Sequence, residues 1–349
     1  MNEAIIPGVD ATAVAAARDR QAQLTKPPGS LGRLEDVVIR LAGLQGRTCP
    51  QLNQPAISIF AADHGVTAEG VSAFPQAVTG QMLANFAAGG AAINAVARHI
   101  EAHLEVVDVG TLAPEDDLPG VRCERAGAGT ANFVAEPAMT APAFEQAYVS
   151  GTEAAQRARD AGADCYIPGE MGIGNTTAAT AVACALLNRS PEAVVGAGTG
   201  LDAQGVRHKA SVIARALTHH AAALNTPAAI VQHIGGYELA AMMGAYTRAA
   251  ELGMPVLLDG FIATTAALAA VRRTPAVAPW LIAAHQSAEA GHAILLGELG
   301  ETPLLDLGMR LGEASGAATT VPLIRTACAI HGEMATFESA GIATENDIG

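Results

Sequence analysis

The sequence predicts an α/β fold built on a mostly parallel sheet with helices on both faces. Three observations predict it. Short apolar runs recur along the 349 residues, each followed by a polar or glycine-rich turn and then a helical stretch. Half of the chain is apolar but only 3% is aromatic, so the core is built from Ala, Val, Leu and Ile, which suit buried parallel strands. Polar residues stand where the runs end, at Asp63, His64, Glu170, Asp259 and His285. Ligands of such folds bind beyond the C-terminal ends of the strands.

The elements follow in order. Residues 11–24, alanine-rich with Arg18 and Arg20, read as a helix. Lys26-Pro27-Pro28-Gly29-Ser30 stops it, because two prolines end a helix and stiffen the chain. Ser30 is placed to cap a second helix over 31–44. Both precede the first strand, as a helical appendage or an arm toward a partner subunit. Residues 56–62 form a buried strand ending at Asp63-His64-Gly65. A long helix over 76–99 is interrupted at Gly89-Gly90, a strand covers 104–109, and 113–130 reads as loop. Residues 140–161 form a helix with Thr140 as cap and Pro142 in its first turn. The strand 165–168 runs into Gly169-Glu170, and an alanine-rich helix covers 177–187. A short strand or turn over 193–197 leads to Gly198-Thr199-Gly200, then a helix over 204–224. The apolar run 228–234 precedes Gly235-Gly236 and a small-residue helix. Strands over 255–258 and 280–284 end at Asp259-Gly260 and His285.

Composition excludes several classes. With 20 Lys and Arg against 34 Asp and Glu, the chain carries a net charge of −14, the wrong sign for nucleic acid. Any phosphate site must be local, made of backbone N–H groups and one or two cations. The five cysteines (Cys49, Cys123, Cys165, Cys184, Cys328) form no Cys-x-x-Cys pair and read as thiols of a reducing compartment. Charges recur through the first 20 positions, unlike a signal peptide, and no apolar run reaches membrane-spanning length. The expectation is a soluble cytoplasmic protein.

Two stretches carry the chemistry. Gly169-Glu-Met-Gly-Ile-Gly-Asn-Thr-Thr177 lies between a strand and a helix. Its glycines allow close backbone approach to a ligand, Thr176 or Thr177 is a candidate cap, and the free N–H groups of the helix start suit a phosphate. The alternative is a purely structural turn. It is neither a P-loop nor a dinucleotide fingerprint, lacking Gly-Lys-Ser/Thr and the right glycine spacing. Gly198 and Gly200 are candidates to complete a phosphate nest, with Lys209, in the helix just after them, as the candidate cation. In Met309-Arg-Leu-Gly-Glu-Ala-Ser-Gly-Ala-Ala318, Glu313 stands among small residues. It is either an ion-pair partner of Arg310 or a half-buried carboxylate whose raised pKa suits a general base. His285, Glu289 and His292 lack zinc-protease spacing and read better as hydrogen-bonded support than as a metal site; no metal and no cofactor is expected. A kinase would need a nucleotide signature and magnesium ligands, and a non-catalytic binding protein would leave Glu313 unexplained.

Lys26-Pro-Pro-Gly-Ser-Leu-Gly-Arg-Leu-Glu35, Ala62-Asp-His-Gly-Val66, Glu69-Gly-Val-Ser-Ala-Phe-Pro75, 169–177, Gly198-Thr-Gly200, Asp259-Gly-Phe-Ile262, 285–292 and 310–318 occur in this order. Together they resemble the nicotinate-nucleotide–dimethylbenzimidazole phosphoribosyltransferase family of cobalamin biosynthesis, over nearly the whole length. The resemblance implies a Rossmann-like sheet in residues 51–309, with a small helical domain from residues 1–50 plus part of 310–349, and a homodimer. It implies transfer of phosphoribose from nicotinate mononucleotide to 5,6-dimethylbenzimidazole, giving alpha-ribazole 5′-phosphate and nicotinate without a metal. Glu313 is then the catalytic base, and Glu170 and Lys209 match the family's mid-chain glutamate and lysine.

Within that reading Glu170 stabilises an oxocarbenium-like transition state. Gly172, Gly174, Asn175, Thr176, Gly198 and Gly200 hold the phosphate and ribose with Lys209. Phe74, Met171 and Leu311 are candidate walls for the flat base, with Ser72 and Gln81 as polar contacts.

Overall fold

The computed structural model describes residues 5–113, 118–198 and 200–343. Six parallel strands form one sheet: β1 (Pro55–Ala62), β2 (His103–Gly110), β3 (Val121–Cys123), β4 (Cys165–Met171), β5 (Val256–Leu258) and β6 (Leu281–Ala283). Their order is β3-β2-β1-β4-β5-β6. The chain winds outward from β1 to β3, then returns to the other side of β1 to start β4. That reversal opens a crevice at the C-terminal ends of β1 and β4, the ligand position of doubly wound sheets. Every residue of β1 is buried, as befits a central strand covered on both faces.

The aromatic-poor composition is used in helix packing. Helix Tyr237–Glu251 lies along helix Ala141–Asp160, where Gly151 faces the Ala241 carbonyl and Gly244 faces the Tyr148 carbonyl with no room for a Cβ. Thr140 caps Ala141–Asp160 as expected, accepting from the Ala143 N–H. Among the described residues, no helix is long and apolar enough to cross a membrane.

The N-terminal helices Ala11–Gln23 and Arg33–Gln45 pack on each other, and the second packs on the long C-terminal helix Ser315–Glu333. Ser30 does not cap the second helix: Gly32, at φ 53°, begins it without a side-chain cap. Glu35 does the local bonding instead, accepting from the Leu31 N–H at 3.0 Å and pairing with Lys26 Nζ at 2.8 Å.

Other expectations are redrawn locally. The interruption expected at Gly89-Gly90 is complete, so that 76–99 is two helices, Ala77–Ala87 and Ala92–His99. The stretch 113–130, expected as loop, contributes the edge strand β3; its residues 114–117 lie outside the described residues. Of the strand or turn expected over 193–197 the structure has the turn: Pro191 starts a single helical turn, Pro191–Val194, followed by coil. The apolar run 228–234 is helical, within Pro227–Ile234, with Thr226 capping the Ala229 N–H. Strand β4 runs three residues further than expected and carries Glu170 within it.

Candidate active site

A cavity of about 330 Å³ opens at the C-terminal edge of the sheet, lined by Glu170 and Met171 of β4, Asp259 after β5 and His285 after β6. The turn at Gly172, Ile173, Asn175 and Thr176 forms one wall, and the loop 310–313 another. Phe74, Val78 and Met82 close it from helix Ala77–Ala87 and the segment before it.

Glu313 reaches this cavity by an unusual backbone path. Gly312, Glu313 and Ala314 have φ of 85°, 60° and 58°, three consecutive left-handed residues. For the two non-glycines that costs roughly 1–3 kcal/mol each, strain of a kind that collects at functional sites. The loop is docked directly on β4. The bare Gly312 faces Glu170, so an added Cβ would lie 2.5 Å from Oε1, and Gly169 faces the Ala314 backbone in the same way. The absence of side chains thus lets the loop that carries Glu313 pack against Glu170, and both carboxylates line the one cavity. Glu313 is 5% exposed and its Oε2 has no hydrogen-bond partner. Among the described residues no ion pair joins it to Arg310, whose Nη1 lies 3.4 Å from the Gly198 carbonyl.

Electrostatics follow from crowding acids in a dry place. Burial, then the Asp259 carboxylate, pushes Glu313 up to about 7. Burial, then Asp259, Glu238 and Glu313, pushes Glu170 up to about 8, against the lowering hydrogen bond from Asn175 Nδ2. Burial works in the same sense on Asp259, but His285 and the Ala317 and Gly260 N–H groups outweigh it and hold Asp259 below its ordinary value.

The wall expected from the sequence to meet a phosphate begins at helix Asn175–Leu187. Gly174, at φ 96°, precedes that helix, and no side chain caps it. Neither Thr176 nor Thr177 is the cap, because both already lie in the first turn. Thr176 Oγ1 instead accepts from Lys209 Nζ at 3.0 Å. Lys209 is 1% exposed and stands behind the wall, beside Gly198. Burial lowers it to about 8, against the attraction of Glu289.

Of the residues singled out in the sequence, Phe74, Glu170, Met171, Gly172, Asn175, Thr176, Gly198, Leu311 and Glu313 line this one cavity. Gly174 packs instead on His64 and Thr67, Gly200 faces open space at φ 111°, and Lys209 acts from behind. Ser72 lies in an adjoining groove, where its hydroxyl accepts from the Phe74 N–H. Gln81 faces a separate cavity with Asp63, Gln76 and Leu112. Val78 and Met82, one step round the same helix, line the central one. Their spacing of four residues was the available signal.

The histidines are structural in different ways. His292 accepts from the Ser287 N–H at Nδ1 (2.8 Å) and meets Thr264 Oγ1 at Nε2 (2.9 Å), which fixes a neutral ring; burial lowers it to about 4. His64 is fully buried, with Nε2 3.1 Å from Glu238 Oε1. Among the described residues, no three His, Cys, Asp or Glu side chains are gathered as a metal site.

A doubly wound sheet thus carries, at the C-terminal edge of its strands, an uncapped helix start and a buried carboxylate, Glu313, whose Oε2 has no hydrogen-bond partner: the arrangement of a ligand-binding α/β protein. A family model described as phosphoribosyltransferase matches residues 6–342. The chain is 57% identical over 335 residues to a nicotinate-nucleotide–dimethylbenzimidazole phosphoribosyltransferase of Pseudomonas fluorescens, covering 96% of this chain and 95% of that one. It is 57% identical over 327 residues to the Pseudomonas aeruginosa enzyme of the same name, covering 94% and 93%. The crystal structure of the Thermus thermophilus enzyme superposes with a TM-score of 0.91 at 47% identity, covering 96% of this chain and 99% of that one. The chain belongs to the nicotinate-nucleotide–dimethylbenzimidazole phosphoribosyltransferase family and is an enzyme.

Proposed function

We propose that the protein transfers the 5-phosphoribosyl group of nicotinate mononucleotide to 5,6-dimethylbenzimidazole, with inversion at C1′, yielding alpha-ribazole 5′-phosphate and nicotinate. The carrying observation is Glu313: buried, with Oε2 free of partners, in the same cavity as the Gly172–Thr176 turn. The names of the relatives support the same substrates.

The chemistry needs little more. Nicotinate in the nucleotide is a pyridinium, so the C1′–N bond breaks with its electron pair returning to the ring, and the leaving group needs no proton and no metal. The unprotonated nitrogen of the benzimidazole attacks C1′ from the opposite face. Positive charge builds on the ring, and Glu313 accepts the proton of its N–H, a step that suits a base near neutral pH. Apolar Phe74, Met82, Met171 and Leu311 suit a flat base. The phosphate is held at Gly172, Asn175, Thr176 and Gly198, with the Lys209 charge behind. Glu170, raised to about 8, carries a proton at neutral pH. It serves there as a neutral hydrogen-bond donor, and its charge is available to an oxocarbenium ion only at higher pH.

We read residues 1–50 with part of 310–349 as a small helical domain, supported by the packing of Arg33–Gln45 on Ser315–Glu333. We read the active form as a cytoplasmic homodimer, in line with the exposed apolar Phe74 and Leu311 at the cavity mouth. Light scattering on the purified protein checks the dimer. Product analysis checks the reaction: the protein, nicotinate mononucleotide and 5,6-dimethylbenzimidazole, without added metal, should give a benzimidazole ribotide and nicotinate in equal amounts. Nicotinate released with free ribose phosphate, and no ribotide, would replace transfer with hydrolysis.

A further inference from the structure

We propose that Asp259 is a positioning residue for this reaction: fixed as an anion by His285 and two helix starts, it keeps Glu170 in its acid form while Glu313 exchanges the proton of the acceptor base. This rests on the assignment of Glu313 as the base.

The geometry is specific. Asp259 is 2% exposed, and Oδ1 accepts from the Ala317 N–H at 3.0 Å, in the first turn of helix Ser315–Glu333. Its own chain continues through Gly260 into helix Phe261–Arg273. Two helix N-termini thus converge on one carboxylate, and each favours its charged form. His285 Nε2 lies 3.4 Å from the same Oδ1. His285 is held in turn against the bare Gly316 and stands 6.1 Å, ring to ring, from the neutral His292.

Among the described residues, the other charged groups around the cavity have contacts elsewhere. Glu238, the second carboxylate bearing on Glu170, is paired with His64. Lys209 is bonded to Thr176 and attracted by Glu289, and Arg310 reaches the Gly198 carbonyl. The Tyr246 hydroxyl donates to the Ala263 carbonyl and not to a carboxylate. Among the described residues, neither Glu170 nor Glu313 has an ion-pair partner, although Arg310 lines the same cavity. An obligatory anion beside them leaves proton uptake as their way to relieve repulsion. After burial, Asp259 is the first cause that raises each of them, Glu313 to about 7 and Glu170 to about 8.

The test is the pH profile of kcat/KM for the phosphoribosyl transfer, from about pH 5 to pH 10, in the wild type and in Asp259→Asn. Asparagine keeps an oxygen for the Ala317 N–H and removes the charge. Both limbs should move to lower pH by about one unit or more, because each glutamate then ionises more easily. A uniform loss of rate with unmoved limbs would make Asp259 a helix cap and nothing else. If Asp259→Asn fails to fold, the wild type decides. In protein labelled with ¹³C at the glutamate carboxyls, two resonances should titrate near neutral pH and vanish in Glu170→Gln and Glu313→Gln respectively. Titration of both in the ordinary carboxylate range would overturn the proposal. Full activity in Glu313→Gln would instead overturn the base assignment. An inactive Glu313→Gln with unmoved Asp259→Asn limbs would sink the present inference alone.

Discussion

Replacing Glu313 by glutamine should weaken the enzyme and strengthen the fold, and the second effect should depend on pH. Shape and volume barely change, so the left-handed Gly312–Ala314 path survives. Turnover should fall by roughly 10²–10⁴-fold, the usual worth of general acid–base catalysis. The stability term comes from the carboxyl's raised pKa, about 7 in the folded chain against 4.5 for an unstrained glutamate. A folded pKa above the unfolded one means that the folded state binds the proton more tightly. Stability is therefore lost as pH rises from the unfolded to the folded value and stays reduced above it. The difference of 2.5 units, at about 1.4 kcal/mol per unit, amounts to about 3 kcal/mol. Glutamine carries no such penalty. Denaturant unfolding of both proteins should show nearly equal stability at about pH 4.5 and a glutamine variant more stable by up to about 3 kcal/mol at pH 8. A variant no more stable at pH 8 than at pH 4.5, relative to wild type, would refute the burial argument. Wild-type turnover across pH would refute the base assignment.

Two further substitutions probe the walls. Lys209→Ala should weaken nicotinate mononucleotide binding more than benzimidazole binding, because Lys209 supports the Thr176 side of the cradle; calorimetry with each ligand checks it. Gly312→Ala should push Glu170 away from the loop and strain a φ of 85°. Turnover should drop by about 10²-fold, the cost of misplacing catalytic groups by an ångström, with KM changing less, and steady-state kinetics separate the two.

Much of this arrangement was legible in the sequence, for identifiable reasons. Asp63, His64, Glu170, Asp259 and His285 were visible as polar residues at the ends of apolar runs. What could not be read was that β4 would return to the side of β1, which makes those ends neighbours. Strand β3 was missed because it is three residues long, lies at the sheet edge and is only partly covered, so it lacks a buried apolar run. Ser30 misled because a serine after prolines resembles a cap, whereas the chain turns at Gly32 and bonds through Glu35. Gln81 was a candidate base contact on residue type alone. About 60–100° of helical rotation separates it from Val78 and Met82, enough to turn it toward the neighbouring cavity. The Glu313 neighbourhood was readable as sterically open, but the helix starts that hold Asp259 beside it come from parts of the chain far apart in sequence.

Binding of an anionic nucleotide in an acidic cavity, as proposed above, poses a charge problem, and the protonation states resolve it. Asp259 and Glu238 stand beside imidazoles, while Glu170 and Glu313 hold protons up to about 8 and about 7. Lys209 keeps its charge up to about 8. At neutral pH the cavity thus presents few uncompensated negative charges to the phosphate, and one cation stands behind the cradle. Raising the pH changes all three groups in the same unfavourable sense: both glutamates become anions and the lysine becomes neutral. Their effects add, so nicotinate mononucleotide affinity should fall steeply between about pH 7 and pH 9, by about tenfold for each 1.4 kcal/mol lost. The phosphate's own second ionisation is largely complete by then, near pH 6, and does not produce the same trend. Calorimetric titration without the acceptor base isolates the effect. Affinity that stays flat to pH 9 would mean that the nucleotide does not lie against Glu170 and Lys209. A trend that shrinks in Glu170→Gln, in Glu313→Gln and in Lys209→Arg would assign it to these three side chains.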